Sequence, residues 1–247
     1  MLKRLTCALS GCALMILTSA QAAEVVRVGT EATFAPFEFV EVGSTEPVGY
    51  DIDIIKAIAQ AAGFEIEIVN MGFDGLIPAL MSSQIDAAIA GMTITPERQK
   101  TVSFSEPYYN SGLSTIIRKE DRDKYVSTAD LMSQRICTQV GTTSAKSAEA
   151  ISGNVGAYNL VPEAFMELRA KGCEAVMNDR PVNLYFLSQM NSDEFVELDE
   201  ILEGEQYGIA VYKSNTALLD KINSGLRLIH DNGTFAEIHK KWFKVAE

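Results

Sequence analysis

The sequence predicts an α/β protein of two lobes, each a mixed, mostly parallel sheet flanked by helices. Three observations carry that reading. From Glu24 onward, short apolar runs alternate with stretches of helical period. The alternation stops at SEPYYNSGLSTIIRK and the charged KEDRDKY, then restarts at RICTQVGTTS. A displacement of 88 residues lays IDAAIAG (85–91) over CEAVMND (173–179), with Leu80 falling on Leu168. Each of those segments is a helix followed by a strand that ends at a loop.

Lys3 and Arg4 precede the apolar run LTCALSGCALMILTSA and the small-x-small Ala20-Gln21-Ala22. This is the pattern of a cleaved export signal over residues 1–22, with the mature chain starting at Ala23. A lipid anchor at Cys12 would leave too short an apolar stretch before it and strand apolar residues beyond it. After the signal, nothing approaches the ~18 consecutive apolar residues of a membrane span. VVRVGT is the first strand and YDIDIIKAIAQAAG the first helix, with Ile54, Ile55, Ile58 and Ala62 on one face, Asp51 capping the start and Gly63 the end. The strand EIEIVN, the helix DGLIPALMSS, the strand IDAAIAG and a short helix at PERQK follow. Beyond the restart, EGEQYGIAVYK returns to the first lobe and leads into helices over 217–229 and 234–243. The first lobe is therefore 23–109 plus 206–247 and the second 110–205, with hinges near 108–112 and 203–207.

The 33 acidic and 21 basic residues give a net charge of −12, or −14 once residues 1–22 are set aside. A nucleic-acid partner is excluded, since binding a polyanion requires clustered Lys and Arg. The C-terminal cluster Lys240, Lys241 and Lys244 reads as a solvated helix face. Two cysteines remain in the mature chain, Cys137 and Cys173, both in β-like runs. If those strands are neighbours, a disulfide contributes roughly 3–4 kcal/mol. Two buried free thiols are the alternative.

Ligands of open α/β sheets settle at the carboxyl ends of strands, and four such segments here are polar in a coordinated way. In AGMTITPER, Thr95 caps a helix that starts at Pro96, which sets Arg98 in a first turn whose dipole disfavours a cation; a nearby anion resolves the conflict. A guanidinium grips a carboxylate through two parallel hydrogen bonds, and Thr93 and the backbone at Gly91 add polar contacts. VGTTSAKS opens a helix whose free N–H groups, with the Thr143 or Ser144 hydroxyl, form an anion pocket. VMNDRP ends a strand at Asp179, a carboxylate suited to an ammonium; capping a helix before Pro181 is its alternative role. GTEATFAPFEF supplies Glu31 and the flat wall of Phe34, with Phe73 beside it. A cationic pocket, an acid for an α-ammonium and an acid between aromatic walls outline a free amino acid.

VGTEATFAPFEF, GYDIDI, GLIPAL, AGMTITPER, FSEPYY, VGTT, NDRP, YGIAV and DNGTFAEIHKKWF, in that order, resemble the periplasmic solute-binding proteins for polar amino acids that serve ABC importers. The resemblance spans the mature chain. It implies the two-lobed type II periplasmic binding fold, a monomer in the periplasm without a cofactor, and a membrane permease as partner. It further implies that Arg98, helped by Thr93 and the backbone at Thr143, holds the α-carboxylate, while Asp179 and the Gly91 carbonyl hold the α-ammonium. Phe34 and Phe73 would enclose the side chain and Glu31 would meet its end. In glutamine-binding relatives the Glu31 position is usually Asp and the Gln139 position Lys; this chain departs at both. A cationic side chain stacked on the aromatics and paired to Glu31 gains a cation–π contribution of about 0.5–2 kcal/mol and a charge-assisted bond. Arginine is thus the expected ligand, lysine, histidine or ornithine come next, and glutamine is the neutral alternative.

A cyclohexadienyl or prephenate dehydratase-like enzyme on the same scaffold is the rival class, with Glu31 as its conceivable general acid. A charged Glu31 suits such apolar acids poorly, and GxGxxG, GxSxG, HExxH and Walker patterns are absent from the sequence. A receptor's sensor module is the other rival, disfavoured because no span or signalling segment follows. No metal site is predicted, and His230 and His239 read as surface residues.

Overall fold

The computed structural model describes residues 25–189 and 193–243. The signal expected at 1–22, Cys12 and Lys244 lie outside the described residues. The chain begins with β1 (Val25–Thr30), β2 (Thr33–Phe34), β3 (Glu38–Val40), β4 (Pro47–Val48), α1 (Tyr50–Ala62), β5 (Glu65–Asn70), α2 (Leu76–Met81), β6 (Ala87–Ala88) and β7 (Val102–Phe104). It continues with β8 (Tyr109–Arg118), β9 (Ile136–Gln139), α3 (Thr143–Ile151), β10 (Val155–Tyr158), α4 (Val161–Arg169), β11 (Ala175–Asp179), α5 (Arg180–Gln189), β12 (Phe195–Glu197) and β13 (Leu202–Tyr207). The last elements are β14 (Ala210–Tyr212), α6 (Thr216–Asp231) and α7 (Thr234–Trp242).

Two large sheets result. The first runs β5-β1-β6-β14-β7; the second runs β10-β9-β11-β8-β12, with β13 also on β8. Parallel pairing is confined to β5-β1-β6 and β10-β9-β11, whereas β7, β8, β12, β13 and β14 pair antiparallel. The sheets are therefore evenly mixed where the sequence rhythm predicts mostly parallel ones. A helical crossover forces parallel pairing, but β8 and β14 arrive from the other sheet without one and are free to run the opposite way. A third, small sheet, β2-β3-β4, escapes sequence periodicity because its strands are two or three residues long.

The internal repeat is visible in three dimensions. β6 lies parallel beside β1, as β11 lies parallel beside β9. The helices before them, α2 and α4, bury Leu80 and Leu168 completely. Ile54, Ile55 and Ile58 carry α1 into the core, where it meets α6 at Gly225; a Cβ there would stand 2.8 Å from the Ile58 carbonyl oxygen. Gly63 ends α1 in the left-handed conformation at φ 74°. His239 departs from its surface reading: its ring stacks on Tyr109 with centroids 6.3 Å apart and lies 5.1 Å from Phe243.

Cys137, on β9, is bonded to Cys173, just ahead of β11, with Cα atoms 6.1 Å apart; both are fully buried. The bridge closes a loop with a sequence separation of 36 residues. On chain-entropy grounds, Cys137→Ser/Cys173→Ser should unfold in urea with a stability lower by about 3–4 kcal/mol. Equal midpoints for the variant and the oxidised parent would contradict that.

Candidate functional site

β1 delivers Glu31 to the end of the first sheet, where 3% of the residue stays exposed. Thr33 Oγ1 donates to its Oε1 at 2.8 Å and Oε2 at 3.0 Å, and Gln139 Nε2 reaches Oε2 at 3.1 Å from the end of β9. Burial pushes the Glu31 carboxyl up, and these hydrogen bonds oppose the rise. The β2–β3 pairing sets Phe34 opposite Glu38. Glu38 is fully buried, and no N–H or hydroxyl among the described residues reaches either of its oxygens. Its carboxyl contacts that of Asp51; burial lifts Glu38 well above the carboxylate range and Asp51 to about 6.

Asp51 does not cap α1, contrary to its sequence reading. Gly49 occupies the cap position, and the Asp51 carboxylate turns inward. Its Oδ2 accepts the Gly91 N–H at 2.8 Å and the Tyr108 hydroxyl at 2.7 Å. Gly91, at φ 51°, adopts a conformation that favours glycine, and a Cβ there would lie 2.6 Å from Phe34 Cε1.

The helix expected at PERQK is a single 3₁₀ turn, Arg98–Lys100, so no helix dipole acts on Arg98. Only Thr101 separates the turn from β7, which leaves no room for more. Thr95 Oγ1 still accepts the Arg98 N–H at 3.2 Å. The guanidinium donates from Nη1 to the Thr93 carbonyl at 2.8 Å and from Nη2 to the Gly141 carbonyl at 3.1 Å, with its carbon 5.2 Å from the Phe73 ring centroid. Burial lowers its pKa, while Glu205 and Asp179 support its charge. Across the gap, α3 is capped by Thr142, whose Oγ1 accepts the Ala145 N–H at 3.1 Å, leaving Thr143 at the first helical position. The expected hydroxyl donor Ser144 is instead buried against Thr142, 2.8 Å between oxygens. Asp179 ends β11 and accepts the Tyr207 hydroxyl at 2.5 Å. Burial pushes Asp179 up to about 8, with Glu205 adding to the rise and Tyr207 and Arg98 opposing it.

Glu31, Phe34, Phe73, Gly91, Thr93, Arg98, Gln139, Thr143 and Asp179 all line one narrow cavity. Sequence reasoning missed Glu38, Ala90 and Thr142 in the same wall. Alternation along β3 would set an acid between Phe37 and Phe39 on the solvent face, so no local signal marks Glu38 out. The cavity sets one guanidinium among several carboxyls between aromatic faces. Such an arrangement offers an anionic group one cationic partner and a cationic group several acidic ones. Among the described residues no group of His, Cys, Asp and Glu is arranged to hold a metal, and no helix is long and apolar enough to cross a membrane.

Residues 26–245 match the family described as bacterial extracellular solute-binding proteins, family 3. This chain belongs to that family. The ABC transporter arginine-binding protein 1 of Escherichia coli (strain K12) is 36% identical over 230 residues, covering 91% of this chain and 93% of that protein. An ancestral arginine-binding protein bound to glutamine superposes with a TM-score of 0.86 at 40% identity, over 91% of this chain and 100% of that one. An ancestral arginine-binding protein bound to arginine gives 0.85 at 41% identity, over 89% and 98%. As a family 3 protein the chain has the two-lobed type II fold, and the cavity lies between the two sheets.

Gly91→Ala is expected to cost about 1–3 kcal/mol in chemical denaturation, from the positive φ and the overlap with Phe34. A midpoint matching the parent would show that the loop accommodates a side chain freely.

Proposed function

We propose that this protein captures free L-arginine, or a closely related cationic amino acid, and presents it to the membrane permease of an ABC importer. The observation that carries the reading is the charge balance of the cavity, where Glu31, Glu38 and Asp179 face Arg98 as its one cation among the described residues. Those acids outnumber the cation, and a ligand bearing one carboxylate and two cationic groups reduces the excess of negative charge, whereas glutamate adds an anion beside Glu31. Arg98, Thr93 and the Thr143 N–H take the α-carboxylate, and Asp179 with the Gly91 carbonyl takes the α-ammonium. Phe34 and Phe73 flank the side chain, whose guanidinium meets Glu31. Gln139, a neutral donor, occupies one Glu31 oxygen and leaves its charge unspent.

The lobes are 23–109 with 206–247, and 110–205. Closure about 108–112 and 203–207 brings the carboxylate and ammonium subsites together, and ligand stabilises the closed form by satisfying both at once. Pairing of β8 with β13, Tyr109 opposite Tyr207, supports these segments as the hinge. The family's extracellular character and the signal-like residues 1–22 support export to the periplasm, and the reading is of a monomeric binder without a cofactor. Binding rather than dehydratase catalysis is favoured because the family is one of solute-binding proteins and the matched relatives are named as arginine-binding proteins. Glutamine is the second reading, favoured by the glutamine-bound ancestral protein and by the neutral Gln139 and Thr33.

Thermal shift against the twenty amino acids, ornithine and citrulline tests the proposal, since ligand at 100 times Kd adds about 2.7 kcal/mol. Arginine should give the largest rise; a largest rise with glutamate overturns the charge argument. Arg98→Ala should weaken every ligand by ~100-fold or more. Glu31→Gln should reorder the ranking, and an equal loss for all ligands would contradict its role.

A further inference from the structure

Thr93 lines the cavity and is buried, and its neighbours on one side belong to β13. It lies opposite Tyr207 in an isolated antiparallel bridge, flanked by the Ile94 N–H on the Gln206 carbonyl at 2.8 Å and the Gly208 N–H on the Met92 carbonyl at 3.1 Å. In such a pair the backbone groups of the two central residues face away from the partner strand. The Thr93 carbonyl accordingly receives Arg98, and its N–H has no hydrogen-bond partner among the described residues. Side chains alternate along β13, so Glu205 and Tyr207 share a face. From that face Glu205 reaches its diagonal neighbour Thr93, whose Oγ1 donates to Glu205 Oε2 at 3.0 Å, while the Tyr207 hydroxyl donates to Asp179 Oδ1. Glu205 itself does not line the cavity. A hydroxyl has one proton to give and two lone pairs with which to receive. With that proton committed to Glu205, Thr93 Oγ1 meets a bound molecule only as an acceptor, and its N–H only as a donor.

We propose that Glu205 is a positioning residue for the ligand's amino end: it takes the Thr93 hydroxyl proton and so turns Oγ1 into a fixed acceptor for one N–H of a primary α-ammonium. The inference rests on the amino-acid-binding reading above. An ammonium carries three N–H groups, and the Asp179 carboxylate, the Gly91 carbonyl and Thr93 Oγ1 supply three acceptors. Free to rotate, the same hydroxyl would spend part of its time aiming its proton at the ammonium, where donor meets donor. Glu205 removes that orientation without touching the ligand. One strand thereby fixes two of the three acceptors: β13 holds Thr93, from the loop after β6, through Glu205, and Asp179, at the end of β11, through Tyr207.

A double-mutant cycle tests this, read by isothermal titration of the intact protein with L-arginine and, separately, with L-glutamine. Thr93→Val removes the hydroxyl and keeps the branched shape; Glu205→Met removes the acceptor and keeps the length. Each single variant should weaken L-arginine by ~10-fold. The double variant should be no more than ~2-fold weaker than Thr93→Val alone, since its second change removes a contact already gone. L-Glutamine should lose by the same factors, its α-ammonium being identical. Independent effects would instead multiply to ~100-fold in the double variant and overturn the inference while leaving the binding reading intact. So would a Glu205→Met protein that binds L-arginine as the parent does, or one that weakens L-arginine and spares L-glutamine, because Glu205 would then act as a charge on the cationic side chain. If Glu205→Met does not fold, Glu205→Ala enters the same cycle, and Thr93→Val by itself overturns the inference if it binds L-arginine within ~2-fold of the parent. A parent that binds neither amino acid defeats the binding reading itself.

Discussion

One guanidinium sits in a pocket whose other ionisable groups are acids, and much of the architecture serves that imbalance. Arg98 is held by two carbonyls, Thr93 from its own loop and Gly141 from the loop before α3. Carbonyls orient the fork without neutralising it, so its charge remains available to an anionic ligand. The surrounding acids are tempered by different means: donated hydrogen bonds at Glu31, carboxyl pairing at Glu38 with Asp51, and a tyrosine at Asp179. Burying so many like charges in an apolar shell is costly unless protons or a cation offset them.

The sheets explain how residues so far apart in sequence converge. β6 and β11 occupy corresponding places beside β1 and β9, and the chain leaving each enters the cavity at Gly91 and at Asp179. The faint repeat in the sequence is therefore the mark of the site as well as of the fold. The disulfide pins β9 to the approach of β11, which keeps Gln139 and Asp179 on one rigid base.

What was legible in the sequence followed from strong local rules. Alternating apolar runs, the α1 face and the polar strand ends all produce signals within about a dozen residues; the strand ends singled out eight residues that meet in one cavity, where Gln139, pointed to by the family resemblance, joins them and Ser144 does not. Features that depend on tertiary neighbours were not legible. Asp51 has the position of a helix cap but answers to Gly91 and Tyr108, 40 and 57 residues away. PERQK has a helical start and no length to continue. Glu205 lies in a strand of charged and polar residues and gains meaning only from Thr93.

Asp51 has one further implication. A single oxygen atom, Oδ2, receives both the N–H of the loop that touches the pocket and the hydroxyl of Tyr108, the residue immediately before β8. That part of the cavity wall is thereby shaped by an internal strut. The entropy of ordering the loop has been settled during folding rather than at any later encounter.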